Sequence, residues 1–248
     1  MLDRLPLYAL RCSLPLAALL FFEAACRAGL FPPALLPAPS AIALATLRAI
    51  TDLHTWQSLA ITIGRLLGGF GIALVVGVTA GLLASQSRLG SAILQTFIRV
   101  FSPVPKIALY PALILLLGFD HAPKVLLVAA DCLFPILIAS YQGACRVEPK
   151  LLWSARAMGT GRLRLLFRVV LPAAAPQLMT GVKIAATVGC VVVFIAEMVA
   201  SSNGIGHDLA LAVRTLRTVE MFVPLVFISA IGLLLNATLS AVQRRLHA

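Results

Sequence analysis

Six apolar stretches, each about long enough to cross a lipid bilayer, dominate what this chain can fold into. A transmembrane helix needs roughly 20 apolar residues to cross about 30 Å of hydrocarbon, and in lipid its backbone polar groups must be satisfied within the helix. The predicted spans are residues 7–28, 60–85, 93–118, 124–143, 173–199 and 222–242. The sequence therefore predicts an all-α, polytopic membrane protein with six transmembrane helices in a single domain over residues 1–248.

The composition and charge of the chain fit a membrane protein. Hydrophobic residues make up 60% of the sequence, charged residues only 12%, and the mean hydropathy is +1.01. In a soluble protein a net charge of +11 would suggest nucleic acid as a partner, but here the basic residues cluster in the loops between apolar stretches. We therefore expect membrane lipid as a partner and no nucleic acid.

The first apolar stretch, residues 7–28, has features of both a transmembrane helix and a secretory signal peptide. A basic flank precedes it, but the stretch contains Arg11, Glu23 and Arg27 and lacks a clean small-x-small cleavage site. These features favour a retained first span. The prolines that follow predict an extended connector on the solvent side, after which Ser40 is expected to cap a short helix.

Glycines and one arginine mark the second span. Two pairs of glycines repeat at four-residue spacing, Gly64 with Gly68 and Gly77 with Gly81. Such pairs let a neighbouring helix approach closely, since packing of small residues drives helix association in lipid, although glycine is also ordinary membrane-helix composition. Arg65 lies toward the outer end of this span, where we expect it to reach the membrane interface.

Four ionisable residues in the later spans are candidates for lining a translocation path: Lys106, Asp131, Lys183 and Glu197. Prolines interrupt the third span around Lys106, and the carbonyls they free are tolerated only where they face protein or water. Lys106 is therefore predicted either to line a route for an anion or to reach the interface from a kinked segment. Asp131 is costly in hydrocarbon unless it faces the helix bundle or water, whereas Lys183 and Glu197 lie near span ends and can reach the interface.

Residues 146–172 form a basic, water-facing segment between the fourth and fifth spans. It contains six basic residues, Arg146, Lys150, Arg156, Arg162, Arg164 and Arg168. Apolar residues recur at helical spacing on either side of Gly159 and Gly161, so we predict a helix, a sharp turn and a short amphipathic helix outside the bilayer. Thr160 is expected to cap the second helix and Pro172 to stop it. The alternative is a plain basic connector held near anionic headgroups.

The distribution of basic residues predicts the orientation. With six crossings, both termini lie on the same side as the loop at Arg88 and the basic segment, and these regions hold most of the arginines. Positive residues favour the cytoplasmic side, so both termini are predicted to be cytoplasmic. The predicted outer segments hold the basic residues Arg48, Lys124, Arg214 and Arg217, which the basic segment outweighs.

The basic segment also contains a longer pattern: a glycine, nine residues, an aliphatic residue, any residue, leucine and proline. Here it is Gly159 followed by Val169, Val170, Leu171 and Pro172. This pattern resembles the cytoplasmic loop of ABC importer permeases. The resemblance implies that the segment is a coupling helix, which sits in a groove of a separate ATPase subunit. The ATPase-coupling residues would be Trp153, Ser154, Ala155, Arg156, Ala157, Met158, Gly159, Thr160, Gly161, Arg162, Leu171 and Pro172. The family's loop begins Glu-Ala-Ala six residues before the glycine, where this chain has Trp153, Ser154 and Ala155.

Further motifs resemble the nitrate, taurine and alkanesulfonate branch of these permeases. They are residues 36–40, Ser58, Arg65, Gly69, Phe70, residues 103–111, Gly118, Pro135, Ala196, Glu197, Ser201, Ser202, Gly204, Ile205 and Gly206. The resemblance implies a type I importer permease in the bacterial inner membrane that moves a small anion or sulfonate by alternating access. It also implies a second permease copy, two ATP-binding subunits and an extracytoplasmic solute-binding protein, with ATP and magnesium bound by the ATPase and no cofactor in this chain.

The sequence shows no pattern typical of an enzyme. It has no phosphate-binding G-x-x-x-x-G-K-[ST] loop, no His-Glu-x-x-His helix and no Gly-x-Ser-x-Gly turn, and its five cysteines have no metal-ligand spacing. We therefore predict that ATP hydrolysis takes place in the separate subunit and that this chain holds no metal. Two alternatives stay open. One is a permease for another small solute, such as an osmoprotectant or a vitamin precursor; the other is an ATP-independent secondary transporter, which would carry paired ionisable groups at mid-span.

Overall fold

The computed structural model describes residues 5–32 and 35–246, and the regular structure in that part of the chain is entirely helical. In chain order the helices are α1 (Leu5–Arg27), α2 (Pro39–Ile50), α3 (Leu53–Ala84), α4 (Arg88–Phe101), α5 (Tyr110–Leu117), α6 (His121–Cys145), α7 (Pro149–Ala157), α8 (Arg162–Leu165), α9 (Leu171–Val199), α10 (Ile205–Arg214) and α11 (Thr218–Leu246). The predicted all-α fold is confirmed.

Four helices in the described part are long and apolar enough to cross a membrane. They are α3, α6, the continuous helix Arg162–Val199 and most of α11. A fifth crossing results if α4 and the segment Lys106–Leu117 are counted as one bent span. These five crossings correspond to the second through sixth predicted spans.

The first predicted span, residues 7–28, coincides with α1. This helix has 23 residues and is roughly 34 Å long at about 1.5 Å per residue, but its side chains up to residue 12 lie outside the described part, so its crossing stays a prediction. Further along α1, Glu23 accepts hydrogen bonds from Ser40 N at 2.9 Å, Ser40 Oγ at 2.7 Å and Arg27 Nε at 2.6 Å. The predicted Ser40 cap is wrong, because Ala38 is at the N-cap of α2 and Ser40 binds α1 instead.

The core of the protomer is formed by α3, α6 and α9, which pack against one another. Each helix contributes a fully buried side chain: Leu66 of α3, Val128 of α6 and Ala185 of α9 are each at most 1% exposed. α10 and α11 pack on the outside of this core, mainly against α9 and each other. The ends of the three core helices therefore set the positions of the connecting segments.

The glycines of α3 differ in how closely they meet α6. An added Cβ at Gly77 would lie 2.9 Å from a side-chain atom of Ile136, and one at Gly81 would lie 2.8 Å from Ser140. An added Cβ at Gly64 would have no described atom within 4 Å. The predicted close approach is confirmed at Gly77 and Gly81. At Gly68 an added Cβ would make an ordinary contact with Val125 at 3.6 Å, and Gly64 lies on the exposed side of α3, which fits glycine as ordinary composition there.

The third predicted span is broken into two helices. α4 ends at Phe101, a 3₁₀ turn follows at Lys106–Leu109, and the second half leaves at 76° to the first. Pro103 and Pro105 lie in the break, because a proline has no N–H with which to continue the helix. The break places Lys106 at the point where the chain changes direction.

Candidate functional site

The predicted coupling segment folds as a helix, a turn and a second helix. α7 ends at Ala157, and Gly159 follows with φ +75°, a left-handed conformation that glycine adopts without strain. Gly161 has φ −67°, which any residue adopts, so the turn requires only one of the two glycines. The predicted Thr160 cap is wrong: Gly161 is at the N-cap of α8, no described side chain caps that helix, and Thr160 N–H donates to Ala155 O at 3.1 Å.

Pro172 does not stop the second helix. α8 continues through a π-helical turn at Leu166–Val170 into α9, which gives the continuous 38-residue helix. At the end of this turn Leu171 N–H donates to Leu166 O, five residues back. The wider turn accommodates the proline, whose ring lacks an N–H and crowds the preceding turn of an α-helix. The predicted end of the helix at Pro172 is wrong for this reason.

A hydrophobic cluster fixes the segment to the ends of the core helices. It joins Leu166 and Val170 to Leu82 near the end of α3, to Ala144 near the end of α6 and to Val147 just after α6. Each of these five side chains is at most 8% exposed. The predicted coupling segment is therefore packed against the ends of α3 and α6 and is continuous with α9.

The other side of the segment presents apolar side chains to solvent. Trp153 is 65% exposed, Met158 is 79% exposed and Leu163 is 68% exposed. Leu163 was not among the predicted coupling residues. Of those that were, besides Trp153 and Met158, the exposed ones are Ser154, Arg156, Ala157, Gly159, Gly161, Arg162 and Pro172, the partly buried ones are Thr160 and Leu171, and the buried one is Ala155. Large exposed apolar side chains next to arginines are typical of a surface on which another protein docks.

At the opposite end of the core, Arg65 of α3 and Glu197 of α9 form a buried ion pair. Arg65 Nη1 lies 2.7 Å from Glu197 Oε1, and the two side chains are 2% and 0% exposed. The expectation that Arg65 reaches the membrane interface is wrong, and Glu197 does not reach it either. In an apolar core, two opposite charges offset part of their desolvation cost by meeting each other.

This ion pair holds the loop between α9 and α10. Arg65 Nη1 donates to Asn203 O at 3.0 Å, and its Nη2 donates to Asn203 Oδ1. Glu197 accepts a hydrogen bond from Gly206 N at 3.1 Å. Gly204 has φ +102°, and an added Cβ there would lie 2.5 Å from the Glu197 carboxyl group. The loop therefore closes directly over the buried carboxylate.

A second ion pair joins the break in the third span to α6. Lys106 Nζ lies 3.5 Å from Asp131 Oδ1, and the two side chains are 13% and 18% exposed. The same ammonium group lies 4.4 Å from the centre of the Phe134 ring and donates to the backbone oxygens of Ser102 and Val104, each at 3.3 Å. The structure thus brings together two of the predicted path candidates.

The remaining path candidates lie on α9, where Lys183 is partly buried and Glu197 is in the buried ion pair. Sequence reasoning missed the pairing of Arg65 with Glu197, although a signal was present. Arg65 is the only Asp, Glu, Lys or Arg in α3, and Glu197 is the only acid in α9. Lys124 was also missed: it is completely buried, and its Nζ donates to the carbonyl oxygen of Phe119 at 2.8 Å.

Among the residues that the structure describes, no three His, Cys, Asp or Glu side chains lie close enough to hold a metal ion. The four described cysteines, Cys26, Cys132, Cys145 and Cys190, are free thiols.

The chain matches known transport proteins over most of its length. Residues 73–248 match the family described as binding-protein-dependent transport system inner membrane component. The chain is 33% identical over 233 residues to the putative aliphatic sulfonates transport permease protein SsuC of Escherichia coli (strain K12), which covers 93% of this chain and 88% of that protein. It is 28% identical over 222 residues to the taurine transport system permease protein TauC of the same organism, covering 88% of this chain and 81% of that protein.

A solved structure shows the same fold. The chain aligns with the MetNI methionine ABC transporter in an inward-facing conformation with a TM-score of 0.59 and 20% identity, covering 78% of this chain and 94% of that chain. The predicted type I importer permease fold is confirmed. Since a family model covers most of the chain and a relative 33% identical covers nearly all of it, this protein belongs to the family of inner membrane components of binding-protein-dependent transport systems.

Proposed function

We propose that this chain is the conducting subunit of an ATP-driven ABC importer that carries a small sulfonate or a related small anion. The observation that carries the proposal is the coupling segment, an exposed apolar and basic surface fixed by a hydrophobic cluster to the core helices. The relatives named for aliphatic sulfonates and taurine support the substrate class. They favour a sulfonate over an osmoprotectant or a vitamin precursor. Lys106 and Asp131 form the mid-span ion pair expected of an ATP-independent transporter, but the relatives favour an ABC importer.

The coupling segment docks on a separate ATP-binding subunit in this proposal. Trp153, Met158 and Leu163 project from it as exposed apolar side chains that a groove in the partner would bury. Arg156 and Arg162 lie beside them and are exposed, so acidic residues at the rim of that groove would meet them. Trp153 stands where the family's loop has a glutamate, so this chain relies on apolar contact at that position.

The continuous helix Arg162–Val199 carries motion from this surface to the far end of the core. Its 38 residues span roughly 57 Å at about 1.5 Å per residue. One end bears the coupling surface, and the other bears Glu197, which holds the loop before α10. Closure of the ATPase would tilt this helix, so the outer loop moves together with the coupling segment, as alternating access requires.

The proposed assembly contains a second copy of this chain, two ATP-binding subunits and an extracytoplasmic solute-binding protein. ATP and magnesium would be bound by the ATP-binding subunits. We place both termini in the cytoplasm, because residues 146–172 contain six basic residues and one acid whereas residues 200–220 contain two of each.

The translocation path in this proposal is lined by Lys106, Asp131 and Lys183, which are all partly exposed on the protomer. Glu197 has a different role. Because its carboxylate is completely buried and bound to Arg65, it acts on the outer loop and not on the substrate.

Crosslinking in the complete transporter tests the docking surface. A photo-crosslinking side chain at Met158 is expected to capture the ATP-binding subunit, because Met158 is 79% exposed on the coupling segment. The matched control is Leu216, which is 86% exposed at the opposite end of the protein and is expected to capture no ATPase. Capture of the ATPase at Leu216 and not at Met158 would reverse the topology and overturn the proposal.

A further inference from the structure

The Lys106–Asp131 pair lies within the membrane-spanning part of the protomer. Asp131 is near the middle of α6 (His121–Cys145), and Lys106 is at the break between α4 and α5. Substrate sites in transporters form where a helix is interrupted near the middle of the bilayer, because the freed backbone groups need polar surroundings. The position of the pair is therefore that of a substrate site.

Among the described residues, the two ion pairs that join one span to another differ in distance and exposure. Arg65 and Glu197 meet at 2.7 Å with side chains 2% and 0% exposed. Lys106 and Asp131 meet at 3.5 Å with side chains 13% and 18% exposed. A sealed pair cannot change partners without opening the core, whereas a longer and partly open pair can. Only the second pair is placed to exchange its anion.

The surface around the open pair is polar and aromatic. The Phe134 ring lies against Lys106 Nζ and stacks on Phe97 with 5.7 Å between ring centres. Gln95 of α4 donates to Tyr141 Oη of α6 at 2.8 Å, about 15 Å further along α6 than Asp131. A partly exposed ammonium and carboxylate near the middle of a span do not suit lipid tails and fit a water-filled path.

The chemistry of Lys106 permits an exchange of anions. Its ammonium has three N–H donors, and the backbone oxygens of Ser102 and Val104 lie at 3.3 Å while Asp131 Oδ1 lies at 3.5 Å. A sulfonate oxygen accepts the same charge-assisted hydrogen bond as a carboxylate oxygen. Phe97, which stacks on Phe134 and is 39% exposed, offers apolar contact to a short alkyl chain.

We propose that Lys106 is the substrate-contacting cation of the path and that a small sulfonate displaces the Asp131 carboxylate from it during transport. This inference rests on the proposed function, because it requires an anionic substrate. Asp131 restores the neutral pair when the substrate leaves, so Lys106 does not hold the anion permanently. The substrate class that fits is a singly charged sulfonate with a short apolar chain.

The test measures ethanesulfonate uptake by the complete transporter, with its ATP-binding subunits and solute-binding protein, in proteoliposomes. Lys106→Gln is expected to lower uptake roughly tenfold, the effect of losing one charge-assisted hydrogen bond, while ATP hydrolysis stimulated by the binding protein stays close to wild type. Lys106→Arg keeps the cation and is expected to retain most of the uptake. The control is Arg27→Gln, which removes a cation from the ion pair between Arg27 and Glu23. The Arg27 side chain is 70% exposed.

An exchanged variant separates a substrate contact from a structural pair. Lys106→Asp combined with Asp131→Lys keeps the ion pair but moves the cation onto α6. We expect this variant to assemble and to unfold at the wild-type temperature, yet to import as little ethanesulfonate as Lys106→Gln. Restored uptake in the exchanged variant would show a structural pair and overturn the inference.

The same assay distinguishes failure of this inference from failure of the proposed function. Wild-type uptake of ethanesulfonate together with undiminished uptake by Lys106→Gln would overturn the role of Lys106 alone. No import of ethanesulfonate by the wild-type transporter, with ATP hydrolysis intact, would overturn both the sulfonate assignment and the inference built on it.

Discussion

Arg65 and Glu197 show how single charged residues are held in the core of this membrane protein. Taking either ion out of water costs several kcal/mol, and the 2.7 Å contact between them offsets part of that cost. Thr62 Oγ1 adds a hydrogen bond to Glu197 Oε2 at 2.8 Å. Neither residue is replaceable alone, because its partner would then be a buried charge without a counterion.

Arg65→Ala is expected to destabilise the protein by about 3–5 kcal/mol, the usual effect of breaking a buried ion pair. The control is Arg217→Ala, whose pair with Glu220 is 64% and 59% exposed and contributes about 0–1 kcal/mol. Thermal unfolding of the purified protein in detergent, followed by size-exclusion chromatography, measures both. Equal shifts in the melting temperature for the two variants would show that the buried pair contributes no more to stability than the exposed pair.

At the scale of elements, the coupling segment depends on one left-handed residue and one wide helical turn. Gly159 sets the direction in which α8 leaves α7, and the π-helical turn Leu166–Val170 carries the chain past Pro172 into α9. Together they join a short surface helix to a long membrane helix without a flexible linker. The segment is therefore expected to move as a rigid body together with α9.

Gly159→Ala is expected to strain the turn by about 1–2 kcal/mol, since an alanine resists a φ of +75°. An added Cβ would have no described atom within 4 Å, so the effect comes from the backbone and not from a clash. Gly161→Ala is the matched control, because Gly161 has φ −67° and equal space around it.

The measurement for this pair is ATP hydrolysis stimulated by the binding protein, together with substrate uptake. Gly159→Ala, and more strongly a bulky residue at the same position, should leave the protein in the membrane while both rates fall; Gly161→Ala should match wild type. Normal uptake by a correctly expressed bulky Gly159 variant would count against a coupling role for the turn.

At the scale of the whole molecule, the core gives the protein two distinct ends. The end with the hydrophobic cluster around Leu82 and Leu166 bears the basic segment, and the other end bears the ion pair that holds the loop before α10. Since positive residues favour the cytoplasm, the first end is expected to face the cell interior.

Cysteine labelling in intact cells tests this orientation. In a background without native cysteines, a cysteine at Leu216 is expected to react with a membrane-impermeant maleimide, whereas one at Met158 should react only after the cells are opened. Both positions are highly exposed, 86% and 79%, so access and not burial decides the result. Labelling of Met158 in intact cells would invert the proposed topology.

Much of the fold followed from pattern alone. Long apolar stretches predicted the membrane-crossing helices, and the two glycines between helical patterns predicted the sharp turn, although only Gly159 has a positive φ. The incorrect predictions arose where tertiary packing overrode a local sequence rule. Pro172 normally ends a helix, but packing of Val170 against the core keeps the chain helical through a wider turn.

Reading the residues alone was enough to predict that this chain crosses a membrane, that its basic segment lies outside the lipid, and which family of transport proteins it resembles, because hydrophobicity, charge and short motifs are properties of short stretches. Only the tertiary structure decided which charges meet. Arg65 lies 132 residues from Glu197, and Lys106 is joined to Asp131 across a broken helix. Such pairings depend on how separate helices pack, and no local spacing in the chain encodes that packing.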